Sequence, residues 1–429
     1  MCISYNKDII FNKQDKELNM YVCGPTVYSD IHIGNTRPII FFDFVARYFD
    51  LLGFKVNYVS NITDIDDKII QEAKKQGISE KELVDKNIEA YLKVRDSLNL
   101  YDLTHMPRVT EYMDQIIGFI ERLVENEAAY ISGGDVYFDI SKQDDYGTLS
   151  KRDVETALLE HRIENDSKKK NINDFVLWKE TTEGINWESK FSKGRPGWHT
   201  ECIVMINNLF NKTIDIHGGG CDLLFPHHEN ERIQAKAIGF DLANVWIHNG
   251  FIKIKNQKMS KSLGNIINAK DFIKEYGCNY LKVLNLTTTF SKSINITDEL
   301  MHQVSSIVYK VESNINNYYS DKDIEFTPEV NEVLELVKED LNFQLALDII
   351  INIIRTSEDK ENLVNFMVKL FGFVIPDNSI DEEIKKIISE RENARKNKDF
   401  ALSDKLRDEI NKKGYEIFDS SEGTTWKKF

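Results

Sequence analysis

The hydrophobic pattern near the start of the chain predicts a strand, a helix and a second strand in succession. Met20 to Cys23 is a short apolar run closed by a Gly-Pro pair, which is typical of a strand that ends in a turn. Thr36 to Leu52 carries Ile, Phe and Val at helical spacing, with a proline near its start and a glycine just past its end. Lys55 to Ser60 alternates like a strand. This succession within about 40 residues predicts a βαβ unit, and therefore a parallel sheet and an α/β fold.

The pattern changes twice further along the chain. Glu111 to Glu127 is amphipathic at helical spacing, and the polar stretch from residue 142 to 173 predicts an insertion with solvated loops. Two strand-like segments, Thr213–Ile216 and Asn244–Ile247, then restore the α/β pattern. Beyond about residue 295 the pattern is helical almost throughout, which predicts a helical bundle after the sheet domain.

Length and cysteine content narrow the class of protein. The 429 residues exceed a single core at about 150 residues per domain. A hydrophobic fraction of 41% is enough to bury such cores, which excludes wholesale disorder. Five scattered cysteines do not make a disulfide framework, and no run of about 18 apolar residues predicts a membrane helix. The start of the chain has no signal-peptide pattern. We expect a cytoplasmic protein without a membrane partner.

The net charge at first argues against a nucleic-acid partner. The formal charge is −15, which repels polyanions on average. However, the last 45 residues hold 12 Lys and Arg against 9 Asp and Glu, so this end is locally basic. An acidic chain with a basic end still fits a nucleic acid at that end.

Two polar segments have the chemistry of a phosphate site. His32-Ile33-Gly34-Asn35 lies between the first predicted strand and its helix, where free N–H groups and the positive helix end favour phosphate. Lys258-Met259-Ser260-Lys261-Ser262 places two lysines on a glycine-flanked segment, which suits the charge that develops on a pyrophosphate leaving group. Taken alone, each segment is more often a solvated loop or face. Together, in this order and separated by an insertion, they are far more specific.

These two segments resemble the signature motifs of the class I aminoacyl-tRNA synthetases. Three further segments, Tyr21–Tyr28, Asn61–Lys68 and Phe225–Glu231, make nearly the whole chain similar to the cysteinyl-tRNA synthetases. The chain departs from the first signature motif at Asn35, where that motif has a second histidine. Asparagine keeps a hydrogen-bond donor for phosphate but cannot carry a positive charge.

The resemblance implies a Rossmann-like parallel-sheet catalytic domain that is split by an insertion. An all-α bundle and a small C-terminal anticodon-binding module would follow it. We expect these regions: the first half of the catalytic domain at 1–115, the connective insertion at 116–195, the second half of the catalytic domain at 196–250, the signature-loop and stem-contact region at 251–300, the helical bundle at 301–380 and the anticodon-binding module at 381–429.

The resemblance also implies the reaction. ATP and L-cysteine would form cysteinyl-adenylate, and the cysteinyl group would then pass to the 3′-terminal ribose of tRNA(Cys). His32, Gly34 and Asn35 would bind the phosphates of ATP, which brings Mg²⁺ with it. Lys258 and Lys261 would bind ATP and stabilise the transition state, so catalysis would rest on positioning and electrostatics. We expect a monomer.

Four residues make a candidate zinc site. His227 and Glu231 are four apart on a predicted helix, so they face the same way, although such a pair alone is more often a surface ion pair. The resemblance selects Cys23, Cys202, His227 and Glu231 as the ligands of one Zn²⁺ per chain, and this donor set suits zinc. The ion would select the cysteine thiolate over serine without an editing domain. The neighbouring His228 side chain is expected to point away from this set.

The resemblance places the amino-acid pocket beside the zinc site. Trp198 would form the floor of this pocket. Thr63, His217 and Asp222 would lie near the polar groups of the substrate. From the residues alone, Trp198 also fits an ordinary core position.

The basic and aromatic tail is the candidate tRNA contact. Unpaired bases stack on aromatic rings while lysine and arginine bind phosphates. The resemblance to an anticodon-binding end selects Arg395, Lys398, Arg407 and Trp426. Without it, a small amphipathic bundle is the simpler interpretation.

Two other functions remain open from the sequence. One is a related ligase that joins activated cysteine to an amino-sugar thiol precursor; the long region after the second signature motif counts against it. The other is a non-catalytic zinc- or tRNA-binding paralogue; the intact His32, Lys258 and Lys261 count against it.

Overall fold

The computed structural model describes residues 7–11, 13–151, 167–259, 264–376, 382–420 and 423–428. The chain divides into two compact units. The first contains residues 1–310 and 320–374, and the second contains residues 311–319 and 375–429. The six-region division expected from the sequence stays a prediction.

The described residues contain helices and strands along their whole length. The helices are Lys7–Phe11, Ile33–Leu51, Asp67–Gln76, Glu80–Ser97, Met113–Glu125, Glu201–Phe210, Glu229–Ala237, Ala269–Tyr276, Cys278–Asn285, Asp298–Tyr318, Pro328–Asp340, Phe343–Thr356, Lys360–Phe371, Glu382–Lys396 and Phe400–Lys412, with short 3₁₀ turns at Val109–Tyr112 and Ile140–Lys142 and a π-helical turn at Leu224–His228. The strands are β1 Glu17–Val22, β2 Lys55–Ser60, β3 Ala129–Ser132, β4 Asp135–Phe138, β5 Phe175–Glu180, β6 Trp187–Glu188, β7 Lys193–Pro196, β8 Ile214–Gly220, β9 Ala243–Asn249, β10 Ile252–Ile254, β11 Gln257–Lys258, β12 Ile294–Ile296, β13 Tyr415–Ser420 and β14 Gly423–Lys428.

A four-stranded parallel sheet of order β2-β1-β8-β9 positions the site. The central strand β1 is buried on both faces: Leu18, Met20 and Val22 lie on one face and Tyr21 on the other, and all are fully buried. The predicted βαβ unit is confirmed, with β2 at the predicted bounds and β1 three residues longer at its start. Side chains that follow the carboxyl ends of β1 and β8 therefore meet at one edge of the sheet, where α/β proteins bind ligands.

The helix Ile33–Leu51 begins three residues earlier than its hydrophobic pattern indicates. His32 caps it: its Nδ1 accepts a hydrogen bond from Gly34 N at 3.1 Å, and Asn35 Oδ1 accepts one from His32 N at 3.1 Å. This reciprocal cap satisfies N–H groups that a helix start leaves unpaired. Pro38 consequently lies inside the helix rather than at its first turn.

The insertion between β2 and β8 carries a sheet of its own. Its five strands have the order β3-β4-β5-β7-β6 and are antiparallel. A three-stranded sheet of order β11-β10-β12 follows the parallel sheet in sequence, and β13 and β14 form a hairpin in the second unit. None of the helices in the described ranges combines the length and the apolar character needed to cross a membrane.

Candidate active site and metal centre

Four thiol, imidazole and carboxylate groups meet beyond the carboxyl edge of the parallel sheet. Cys23 follows β1, Cys202 lies in the first turn of Glu201–Phe210, and His227 and Glu231 flank the start of Glu229–Ala237. Cys202, His227 and Glu231 are buried, and Cys23 is half-buried. The fold thus brings together residues that are far apart in the sequence; Cys23 and Cys202 are separated by 179 positions.

The donor atoms of these residues lie close enough to share one cation. Cys23 Sγ lies 3.5 Å from Cys202 Sγ and 3.8 Å from Glu231 Oε1. His227 Nε2 lies 3.8 Å from Cys202 Sγ and 2.7 Å from Glu231 Oε1. All four donor atoms lie within 4.8 Å of one another. We call these four residues the donor cluster.

The charges inside the donor cluster depend on one another. Burial alone would lower the pKa of His227, but the charge of Glu231 and the hydrogen bonds to Cys202 and Glu231 raise it to about 10. Burial would likewise raise the pKa of Glu231, yet His227 and His217 hold it well below its ordinary value. The hydrogen bond with Cys23 lowers the pKa of Cys202 to about 6, while burial raises that of Cys23. The cluster therefore stabilises a carboxylate and a thiolate in the protein interior.

The imidazole of His228 also faces the donor cluster. His228 Nε2 lies 3.4 Å from Cys23 Sγ, and its ring stacks on His217 with centroids 4.4 Å apart. The expectation that His228 points away is therefore wrong. His227 and His217 contact different carboxylate oxygens of Glu231. His227 and His228, which are consecutive in the π-helical turn, both reach the cluster, each from its own side. Cys23, His217, His228 and Glu231 make a second, overlapping group of possible ligands.

Two of the four predicted substrate-pocket residues contact the donor cluster, and a third is linked to it through another residue. Trp198 is 40% exposed, and its ring stacks on His227 at 4.3 Å. His217 is buried; its Nε2 lies 2.6 Å from Glu231 Oε2. Thr63 is connected to the cluster through Asn61, which hydrogen-bonds its hydroxyl and also contacts Cys202 Sγ. The indole of Trp198 therefore packs on the cluster while part of its surface stays exposed to solvent.

The fourth predicted pocket residue, Asp222, lies beside Lys258 of the second signature segment instead. Its Oδ2 is 3.3 Å from Lys258 Nζ, and both side chains are about half exposed. Lys258 also lies over the ring of Phe251, with Nζ 4.2 Å from the centroid. In the structure, the lysine of the second signature segment is thus held by an acid and an aromatic ring.

The two signature segments touch each other. A Cβ at position 34 would lie 2.8 Å from both Met259 Cε and His32 Cε1, so a larger residue here would displace these two side chains. Ile33 N donates to Ile267 O, and Ala269 N donates to Ile31 O, both at 3.0 Å. Because Gly34 N donates to His32 Nδ1, the other ring nitrogen, Nε2, carries the proton and can donate to an anion. Lys261 lies outside the described residues.

The predicted tRNA contacts belong to the second unit. Arg395, Lys398 and Arg407 are exposed on the helical hairpin Glu382–Lys396 and Phe400–Lys412 or on its turn. Trp426 lies on β14, opposite Ile417 on β13. Phe400 is not among the residues predicted from the sequence; it begins the second helix and is 64% exposed. The signal was present, since Phe400 follows directly on the basic turn of the hairpin.

The chain is similar in sequence to known proteins over nearly its whole length. The family described as "tRNA synthetases class I (C) catalytic domain" matches residues 9–306. A protein of Streptococcus agalactiae serotype III named "Cysteine--tRNA ligase" is 40% identical over 424 residues, covering 96% of this chain and 95% of its own. A protein of the same name from Streptococcus thermophilus is 40% identical over 433 residues, with the same coverage of both chains.

Solved structures share the fold. Methionyl-tRNA synthetase of Mycobacterium tuberculosis in complex with methionyl-adenylate has a TM-score of 0.59 at 14% identity, covering 82% of this chain and 88% of its own. The leucyl enzyme LeuRS of Agrobacterium radiobacter K84, in a ternary complex with tRNA and LeuAMS, has a TM-score of 0.57 at 11% identity, covering 84% and 83%. The family match over more than half of the chain and relatives of nearly equal length lead to one assignment. The chain belongs to the class I aminoacyl-tRNA synthetases, among the cysteine–tRNA ligases, and is a ligase that forms aminoacyl-tRNA.

Proposed function

We propose that this ligase activates L-cysteine with ATP and Mg²⁺ to cysteinyl-adenylate, and transfers the cysteinyl group to the 3′-terminal ribose of tRNA(Cys). In this proposal the side chain of cysteine is recognised at the donor cluster by one zinc ion. The observation that carries the proposal is the convergence of four donor atoms of a zinc-type set beside an open aromatic face. Relatives named "Cysteine--tRNA ligase" support the choice of amino acid.

The donor cluster fits zinc by its chemistry. Two thiols, one imidazole nitrogen and one carboxylate oxygen are ligands that zinc takes in proteins. His217 holds the second oxygen of Glu231, and its own Nδ1 contacts Tyr21 O at 3.1 Å, so the carboxylate has a fixed orientation. Bound to Cys23, Cys202, His227 and Glu231, zinc would favour the thiolate of the substrate, a bond that the hydroxyl of serine makes much more weakly.

The protein itself supplies the pocket around the substrate side chain. Trp198 covers the ring of His227 and offers an apolar face that excludes water from one side of the thiol. Thr63 donates to Glu201 Oε2 at 3.3 Å, so its hydroxyl is oriented before substrate enters. Burial raises the pKa of Glu201 well above its ordinary value, which keeps further negative charge away from the donor cluster.

The signature segments supply the nucleotide chemistry. His32 would donate from Nε2, and Asn35 from its amide, to phosphate oxygens at the start of the helix Ile33–Leu51. Lys258 would exchange Asp222 for the phosphates of ATP and stabilise charge on the departing pyrophosphate, with Lys261 in the same role. Positioning and electrostatics then account for the rate.

The helical hairpin of the second unit would bind tRNA. Lysines and arginines at its turn suit phosphates, and the exposed ring of Phe400 suits an unpaired base. Arg395, Lys398, Arg407 and Trp426 remain the proposed contacts. Deletion of residues 385–429 should therefore impair tRNA charging and spare adenylate formation, measured as ATP–pyrophosphate exchange. Equal charging by the shortened chain would contradict this assignment.

One experiment tests the amino-acid and metal assignments together. ATP–pyrophosphate exchange is measured with cysteine, serine and threonine, before and after treatment with a zinc chelator. We expect exchange with cysteine only, its loss on chelation and its return on addition of zinc. Exchange with serine at a similar rate, or chelator-resistant exchange with cysteine in metal-free protein, would contradict the proposal.

A further inference from the structure

Arg37 is a buried cation that the mechanism above does not use. It lies one turn after the first signature segment and is only 2% exposed. Its hydrogen bonds go to three backbone carbonyls: Nη1 donates to Phe251 O at 2.9 Å, and Nη2 donates to Phe290 O at 3.1 Å and to Lys292 O. Within the described residues, it forms no ion pair with a carboxylate. Burying a cation among neutral carbonyls costs desolvation free energy. The presence of Arg37 here therefore indicates that the geometry it fixes matters to the protein.

The three carbonyls belong to two chain segments that meet at one point. Phe290 O also accepts from Gly250 N at 2.8 Å, and Phe251 O also accepts from Ile294 N at 2.8 Å. A Cβ at position 250 would lie 2.5 Å from Lys292 O, so only glycine allows this approach. The guanidinium therefore donates to carbonyl oxygens of which two, those of Phe251 and Phe290, already accept a backbone hydrogen bond and use their second lone pair for Arg37. Its rigid planar fork joins both segments to the helix Ile33–Leu51.

One of these segments leads directly to the second signature lysine. Phe251 immediately precedes β10, and β10 pairs in parallel with β12. A two-residue turn with positive φ at Lys255 and Asn256 then returns the chain as β11, which ends at Lys258. The connection from Arg37 through β10 to Lys258 is short and built of regular structure.

We infer that Arg37 is a positioning residue for adenylate formation, which fixes the distance between the first signature segment and Lys258. The inference rests on the proposed role of Lys258. The effect of Arg37 on the rate would come from geometry, because a displacement of about 1 Å in a catalytic group can lower a rate by about 100-fold. Lysine at this position would replace a planar, multi-donor fork with a single point charge, so Arg37→Lys is not conservative.

Lys282 provides the matched control. It is also a fully buried cation against the helix Ile33–Leu51: its Nζ lies 3.2 Å from Asp43 Oδ2 and 3.0 Å from Phe371 O. Its contacts do not include the segments before β10 and β12. Lys282→Met therefore removes a buried charge that packs against the same helix, without touching the connection to Lys258.

The test compares exchange kinetics and stability of Arg37→Met, Arg37→Lys and Lys282→Met. We expect Arg37→Met to lower the kcat of cysteine-dependent ATP–pyrophosphate exchange about 100-fold, with the KM for ATP changed less than about threefold. Arg37→Lys should lose about 10-fold and carries the test if Arg37→Met does not fold. Lys282→Met should keep the rate of the folded enzyme even where urea unfolding shows comparable destabilisation. Equal rate losses in Arg37→Met and Lys282→Met would overturn the inference.

A double-mutant cycle separates this inference from the proposed function. If Arg37 acts through Lys258, adding Arg37→Met to Lys258→Ala should cost less than about threefold in rate. Multiplicative losses in the double variant would overturn the positioning role while leaving the proposed function intact. An unchanged exchange rate in Lys258→Ala alone would instead refute the proposed role of Lys258, on which the inference rests.

Discussion

The donor cluster and the signature segments lie at the same edge of the parallel sheet but are built in opposite ways. In the donor cluster, buried groups such as His227 and Glu231 satisfy one another at 2.7 Å inside the core. At the signature segments, Lys258 is about half exposed and is held by a single carboxylate at 3.3 Å. This difference in burial matches the kind of ligand that is proposed for each region. Under the proposed function, the buried cluster would hold one small ligand at a fixed point, whereas the exposed lysine would bind the phosphates of ATP.

Electrostatics explains why these two designs differ. Paired groups in a low-dielectric interior interact strongly, so removing one partner leaves an uncompensated charge. An exposed ion pair contributes little because water and salt screen it. Under the proposed function, Lys258 would therefore leave Asp222 at small cost in free energy when ATP binds, whereas removal of one member of the donor cluster would leave the others unpaired.

The largest expected effect is at the donor cluster. Cys202→Ser should lower zinc affinity at least about 100-fold, since even groups that only orient metal ligands account for about 10- to 100-fold. Cysteine-dependent exchange should fall with it. Competition with a chromophoric chelator measures the affinity.

Cys278→Ser is the control for this change, because Cys278 begins a helix away from the donor cluster. It should bind zinc as the unaltered protein does. Full zinc affinity in Cys202→Ser would remove that thiol from the proposed site.

The second largest effect is expected at the surface. Lys258→Ala should slow ATP–pyrophosphate exchange about 100- to 1,000-fold, the range for loss of one donor to developing charge. Binding of cysteine should be unchanged, because Lys258 contacts Asp222 and Phe251 rather than the donor cluster. Isothermal titration with cysteine and exchange kinetics separate the two effects.

We expect the same outcome for Lys261→Ala. The exposed Lys274 serves as the control position, and Lys274→Ala should leave exchange intact. An undiminished rate in Lys258→Ala would show that the exposed ammonium group of Lys258 takes no part in exchange, and it would contradict the proposed contrast with the donor cluster.

Lys282 tests what burial does to a cation outside the donor cluster. Burial lowers its pKa to about 8 from the 10.5 of an exposed lysine, although Asp43 opposes this. Between these pH values the unfolded chain binds more protons than the folded one, so stability should rise as the pH increases from 8 to 10.5. The contribution amounts to about 3 kcal/mol at full extent. Urea unfolding at several pH values measures it.

The difference between the unaltered chain and Lys282→Met isolates this contribution from other groups that titrate in the same range. Lys282→Met should flatten the rise, whereas Lys274→Met should not. The same slope in all three proteins would show that Lys282 stays protonated throughout.

The smallest expected effect is on tRNA at the second unit. Phe400→Ala should raise the KM for tRNA in charging about 5- to 150-fold, which corresponds to loss of one stacked base. Exchange without tRNA should be unaffected. Leu402, a neighbouring apolar residue that is 42% exposed, gives the control Leu402→Ala. An unchanged KM in Phe400→Ala would exclude the ring as a stacking surface.

The sequence predicts the parallel sheet better than it predicts the site. β2 has its predicted bounds because a short alternating strand carries its own signal. The convergence of Cys23, Cys202, His227 and Glu231 came from resemblance, since no local pattern tells where two segments meet in space. His228 was misjudged because the periodicity of an α-helix does not hold in the π-helical turn that carries it. Arg37 was overlooked because its partners are backbone carbonyls, which every residue has.

The strand order β2-β1-β8-β9 bears on how the protein is made. β1 has β8 as its inner neighbour, yet the whole insertion is synthesised between them. At 5 to 20 residues per second, the roughly 150 residues between β2 and β8 take about 8 to 30 s to emerge from a ribosome. During this interval Cys23 has been synthesised, but the other three residues of the donor cluster have not all emerged. Because Cys202, His227 and Glu231 all follow β7, the donor cluster is complete only in the later part of translation.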